Sequence, residues 1–98
     1  MKVNFTEKDR DKILSSIKEA MGDRALGQMV SFNMTQGGLE VIIAKLGTST
    51  LSFKETMLER GIEYSLTSEK IAFTHKAFKD EVTQKIVRVI EKAGGKVS

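Results

Sequence analysis

His75 is the only histidine in these 98 residues, so it is the first side chain to consider as a general base. That role needs an orienting carboxylate and a nucleophile or water within hydrogen-bond reach. Glu69, Asp80 and Glu81 are close in sequence, but nothing in their spacing aims them at His75, and the expectation is a capping or edge histidine. The carboxylate pairs Asp9/Asp11 and Asp80/Glu81 are spaced i,i+2 and i,i+1, which do not face each other on a helix. Glu55 and Glu59 would share a face if helical, yet two ligands alone hold a divalent cation weakly. The absence of cysteine excludes disulfides, cysteine-ligated zinc, iron–sulfur clusters and thiol chemistry. Gln36-Gly37-Gly38 lacks the further Gly or Lys and the helix start that cradle a phosphate, and it reads as a hairpin turn. The residues therefore point away from catalysis and supply no cofactor or metal set.

Charge points to contacts rather than chemistry. Sixteen Lys and Arg against thirteen Asp and Glu leave +3, and the signs alternate, as in Glu7-Lys8-Asp9-Arg10-Asp11-Lys12. Mixed runs of this kind mark solvated helix faces. Lys45, Lys54, Arg60, Lys70 and Lys76 are expected at strand ends and turns, where they could touch phosphates without reading bases. Phe32, Tyr64 and Phe73 share the phase of their apolar neighbours, so they read as core rather than as exposed stacking platforms.

The elements that would position these groups follow from periodicity. Ile13, Leu14, Ile17, Ala20 and Met21 form one stripe of a helix over about 7–21, with Thr6 as N-cap and Gly22 as C-cap. Val30, Phe32 and Met34 alternate with polar residues as a strand, and a second strand runs from Leu39 to Leu46. Residues 50–60 fit either period, and a strand is favoured. Ile62, Tyr64 and Leu66 alternate next, Thr67-Ser68-Glu69-Lys70 reads as a tight turn, and Ile71 and Phe73 continue as a strand. A helix from about 76 to 93 carries Phe78, Val82, Ile86, Val89 and Ile90, Gly94-Gly95 ends it, and Lys96-Val97-Ser98 reads as a frayed tail.

Short turns force antiparallel pairing. The expected architecture is one α+β domain over residues 1–98: an antiparallel sheet of four to five strands, with N-terminal and C-terminal helices packed on one face. Its other face would expose Ile42 and Ala44, and Val87 broadens the apolar face of the last helix; these three form a candidate contact surface. Met21, Met29, Met34 and Met57 could line an adaptable apolar cleft but read as core filler. The start has no apolar signal-peptide core and no run is long enough to span a membrane, so a cytoplasmic protein is expected.

Ile62-Glu63-Tyr64-Ser65-Leu66 through Ile71-Ala72-Phe73, followed by Ala77 to Ile86, resembles the C-terminal part of small bacterial polyhydroxyalkanoic-acid-system proteins. The resemblance covers roughly the last third of the chain and implies a small non-enzymatic protein associated with storage-polymer granules. The residues themselves favour a binding or regulatory module acting through protein contacts, including a homodimer. A weak nucleic-acid binder and a hydrophobic-ligand protein are the alternatives.

Overall fold

The computed structural model describes residues 1–22 and 25–98. Its elements in chain order are β1 (Lys2–Phe5), α1 (Arg10–Met21), α2 (Ala25–Met29), β2 (Val30–Met34), β3 (Gly38–Ala44), β4 (Thr48–Leu58) and β5 (Gly61–Lys70). A 3-10 segment (Phe73–Phe78), α3 (Lys79–Lys92) and β6 (Lys96–Val97) complete the chain. The described strands form one curled antiparallel sheet in the order β2-β3-β4-β5-β1-β6. The fold is α+β with an antiparallel sheet, as the alternation implies. The sheet has six strands instead of four to five, and the chain begins and ends in strands, not helices.

Two expectations at the ends are corrected together. The supposed frayed tail is β6, with Val3 opposite Val97 and Asn4 opposite Lys96. Gly94, at φ +103°, turns the chain back from α3 in a conformation that suits glycine. β1 in turn lies against β5, with Val3 opposite Tyr64 and Phe5 opposite Ile62. Because β1 occupies residues 2–5, the helix starts later than its stripe suggests. Asp9 rather than Thr6 caps it, accepting from the N–H groups of Asp11 and Lys12.

The middle is a meander whose pairing puts alternate residues on one buried face. Phe32 sits opposite Val41, Val41 opposite Leu51, and Leu39 opposite Phe53. These join Ile13 and Ile17 of α1 and Val82, Ile86 and Ile90 of α3 in a single hydrophobic cluster. Of the segment 50–60, residues 50–58 are strand, as favoured, and Glu59 and Arg60 form the turn into β5. The Thr67–Lys70 turn is not formed: those residues continue β5 against Thr50–Ser52, with a bulge that leaves Thr67 unpaired in the ladder. Ile71 and Phe73 are outside the sheet, and Phe73 is 87% exposed, so it is not core. No helix among the described residues is long and apolar enough to cross a membrane.

One polar cluster fixes α1 to the sheet. Arg10 Nε donates to Glu55 Oε1 at 2.6 Å, and its Nη2 donates to the carbonyls of Thr35 and, at 3.1 Å, Gly38. The Tyr64 hydroxyl, on a fully buried ring, donates to the same Glu55 oxygen at 2.9 Å. Burial, and then its bond to Glu55, pushes the Tyr64 phenol well above its ordinary range. The bond to Glu55 likewise raises Arg10.

The linkage sign follows. Above about pH 10 the unfolded chain releases the Tyr64 proton while the folded chain keeps it. Stability should therefore be intact below pH 10 and fall by about 1.4 kcal/mol per pH unit above it from this group alone. Urea titrations from pH 9 to 11.5 should show this slope in the native protein and a shallower one in Tyr64→Phe. The β2–β3 turn offers a second check. A Cβ on Gly38 would lie 1.8 Å from the Phe53 carbonyl oxygen, whereas one on Gly37 meets nothing within 4 Å. Gly38→Ala should cost about 2 kcal/mol or more and Gly37→Ala less than about 0.5 kcal/mol by urea denaturation.

Candidate functional site

The lone histidine is built into a buried stitch between two loops. His75 lies in the 3-10 segment, 2% exposed, with its ring 5.5 Å from that of Phe78. Ser49 enters from the start of β4 and has no exposed surface. Ser49 Oγ and His75 Nδ1 are 2.5 Å apart, His75 Nε2 is 2.6 Å from the Lys45 carbonyl oxygen, and the Ala72 N–H donates to Ser49 Oγ at 2.8 Å. A carbonyl can only accept, so Nε2 carries the proton and Nδ1 accepts from the Ser49 hydroxyl. Each polar group then has its partner, and no buried side-chain nitrogen or oxygen among the described residues is left unpaired.

A serine bonded to a histidine has the form of an activated nucleophile. The space beside the pair is about 10 Å³, no more than one water requires, and among the described residues His75 has no carboxylate partner. Lys79 bonds Glu69, and Asp80 and Glu81 stay exposed in the first turn of α3. The pair joins the Ala72 N–H and the Lys45 carbonyl in one buried hydrogen-bond network. His75 is neither a cap nor an edge residue but the centre of a network that sequence spacing did not reveal, because Ser49 is 26 positions away.

The stitch holds a tip. Thr74 Oγ1 donates to the Leu46 carbonyl at 2.6 Å, tying the β3–β4 turn to the 3-10 segment again. Leu46 is 84% exposed and sits at φ +54°, the sole non-glycine with positive φ among the described residues. Phe73 stands beside Thr74 with the Lys76 ammonium 5.8 Å from its ring centre. Lys45, Lys70 and Lys76 gather at this end of the sheet, where β3 and β5 finish. Lys54 lies mid-strand in β4 and Arg60 in the β4–β5 turn at the far end, so the five basic residues do not form one surface.

Of the candidate contact residues, Ile42 and Ala44 stand two apart on β3 and Val87 lies on a different element, α3. Ile42 is half-buried opposite Ser31 and Thr50 on the outer sheet face, Ala44 is exposed at the end of β3, and Val87 is half-buried on α3. The methionines divide as well: Met29 and Met34 pack on the core and Met57 is exposed. Met21 lines a cleft of about 340 Å³ with Ala20, Leu26, Val89, Lys85, Arg88 and Lys92. Glu55 and Glu59 fall in and after a strand, which removes the i,i+4 pairing, and no metal-holding group of three acids or histidines occurs among the described residues.

Comparison with protein-family models, curated proteins and solved structures finds no match to this chain. The stitch makes a direct prediction. Ser49→Ala would orphan the buried His75 Nδ1, at about 1–3 kcal/mol, and the part-buried Ala72 N–H, at about 1 kcal/mol. Chemical denaturation should show a loss of about 2–4 kcal/mol, and nitrogen NMR of the native protein should find the proton on Nε2.

Proposed function

We propose that the chain is a small non-enzymatic binding module that acts through protein contacts, and that its contact surface is the tip bearing Leu46 and Phe73. The observation that carries this reading is Leu46. A leucine in the left-handed region costs roughly 1–2 kcal/mol relative to glycine. An exposed side chain recovers little of that by burial within its own fold. Strain retained without an internal contact is a mark of function. Phe73 repeats the pattern on the neighbouring loop, and the Ser49–His75 stitch keeps the two on one rigid base, which lowers the entropy lost on binding.

Charge selects the partner. Lys45, Lys70 and Lys76 around two apolar anchors favour an acidic protein surface with hollows for Leu and Phe. A symmetric tip-to-tip homodimer would bring three lysines from each copy together. Self-association is better served by the outer sheet face around Ile42 and Ala44. The expected compartment is the cytoplasm, and the resemblance of the last third to polyhydroxyalkanoic-acid-system proteins also favours attachment over catalysis. One observation favours a second reading: an exposed aromatic under a lysine can stack on a single-stranded base. A single such ring makes nucleic acid the weaker reading.

The test separates anchor from scaffold. Leu46→Gly should hold or raise stability by up to about 1 kcal/mol, while Leu46→Gly with Phe73→Ser should lose capture of a salt-sensitive acidic partner. Retention of every captured partner by the double variant overturns the reading. Binding of a single-stranded oligonucleotide at low salt that Phe73→Ser abolishes transfers it to nucleic acid.

A further inference from the structure

We infer that the cleft between the end of α1, α2 and the second half of α3 binds a small amphipathic anion, a carboxylate on a single short alkyl chain. This inference is independent of the tip.

Three elements supply an apolar floor. Met21 closes α1, Leu26 lies in α2, and Val89 comes from α3. All three belong to or pack against the hydrophobic core, so a ligand's tail would extend that core instead of lying on a wet surface. The described charged residues of the rim are all cations. Lys85, Arg88 and Lys92 are spaced i, i+3 and i+7, which sets them on one face of α3 beside Val89. No carboxylate is among the described lining residues. Elsewhere the charges alternate: α3 itself opens with Asp80 and Glu81, and Lys85 keeps a 3.6 Å contact with Glu81. Arg88 offers the planar pair of donors that grips a carboxylate through both oxygens.

Size and shape narrow the occupant further. About 340 Å³ lies at the lower end of the range for small-molecule sites, enough for one short chain and too small for a two-chain lipid. A bare inorganic anion would leave the floor open to water, and a neutral alcohol would leave the charges of Arg88 and Lys92 without a counterion from the ligand. The cleft has no aromatic lining to stack a base. Beyond Lys92 the neighbouring hollow contains Glu19, whose carboxylate repels an anionic head and marks a limit to where it can sit.

The experiment is a nitrogen–proton NMR titration of the full chain with sodium octanoate, with 1-octanol, octylammonium and sodium sulfate as matched probes. Octanoate should shift the amides of Met21, Leu26 and Val89. Decanoate should bind about fifteenfold tighter, at roughly fourfold for each of its two added methylenes. Arg88→Glu with Lys92→Glu, both exposed positions, should weaken octanoate at least tenfold while leaving the sheet amides in place. If that variant perturbs the fold, the native protein supplies the same information, because octanoate affinity should then fall as potassium chloride rises. Four results overturn the inference: shifts confined to other residues, equal binding of octanol or octylammonium, the same shifts from sulfate alone, and concentration-dependent self-association at these residues without ligand.

Discussion

The tip that carries Leu46 and Phe73 rests on one constraint: two loops with no ladder between them must be held together through side chains. The β3–β4 turn and the 3-10 segment meet at Ser49, His75 and Thr74. Their described hydrogen bonds to each other all run through those three residues. An apolar contact there would tolerate sliding, because apolar packing has little directional preference. The imidazole does not. With one nitrogen bound to a carbonyl and the other to a hydroxyl, only one ring orientation and one tautomer satisfy the site. Sliding either loop would strand several buried polar groups at once.

At the opposite side of the sheet the same logic works through charge. Arg10 begins α1, Glu55 lies in β4 and Tyr64 in β5, and their shared oxygen ties a helix start to two strands. The carbonyls of Thr35 and Gly38 bring the β2–β3 turn into the same grip. Breaking one partner of such a cluster leaves the others half-satisfied in a poorly hydrated place, so its cost exceeds that of an exposed ion pair such as Lys85–Glu81. Together the two networks fix the register of the sheet at points where apolar side chains alone would leave it loose.

Much of the scaffold was legible because alternation is a strong local signal. Val30, Phe32 and Met34, and Ile62 and Tyr64, fall where the period of two places them, and the stripes of α1 and α3 match the buried residues. The failures share one cause, which is that the decisive partner is remote. β6 has two residues, too few to show any period, and exists because β1 lies beside it. Thr67-Ser68-Glu69-Lys70 has turn composition, yet Thr50–Ser52 offered a ladder and composition gave way. Phe73 alternates with Ile71 and so imitates a strand, but the buried neighbour is His75, whose partners are 26 and 30 residues away. Glu55 was legible as a carboxylate and not as the mate of Arg10, 45 positions distant. The cleft could not be read at all, since its floor joins residues 21, 26 and 89.

The tip and the cleft lie toward opposite ends of one helix, which bears on whether they communicate. His75 precedes the start of α3 at Lys79, and Val89 sits near its end, about 15 Å along the axis from Lys79 at the helical rise. Energetic coupling over such a distance needs an element with two available arrangements. The described structure gives α3 little freedom of that kind. Its entry is locked by the oriented imidazole, its stripe is buried in the core, and its exit is held by the pairing of β6 with β1. A ligand in the cleft would have to break one of those locks to move Phe73. The proposed contact tip and the proposed ligand cleft would therefore act separately on one frame.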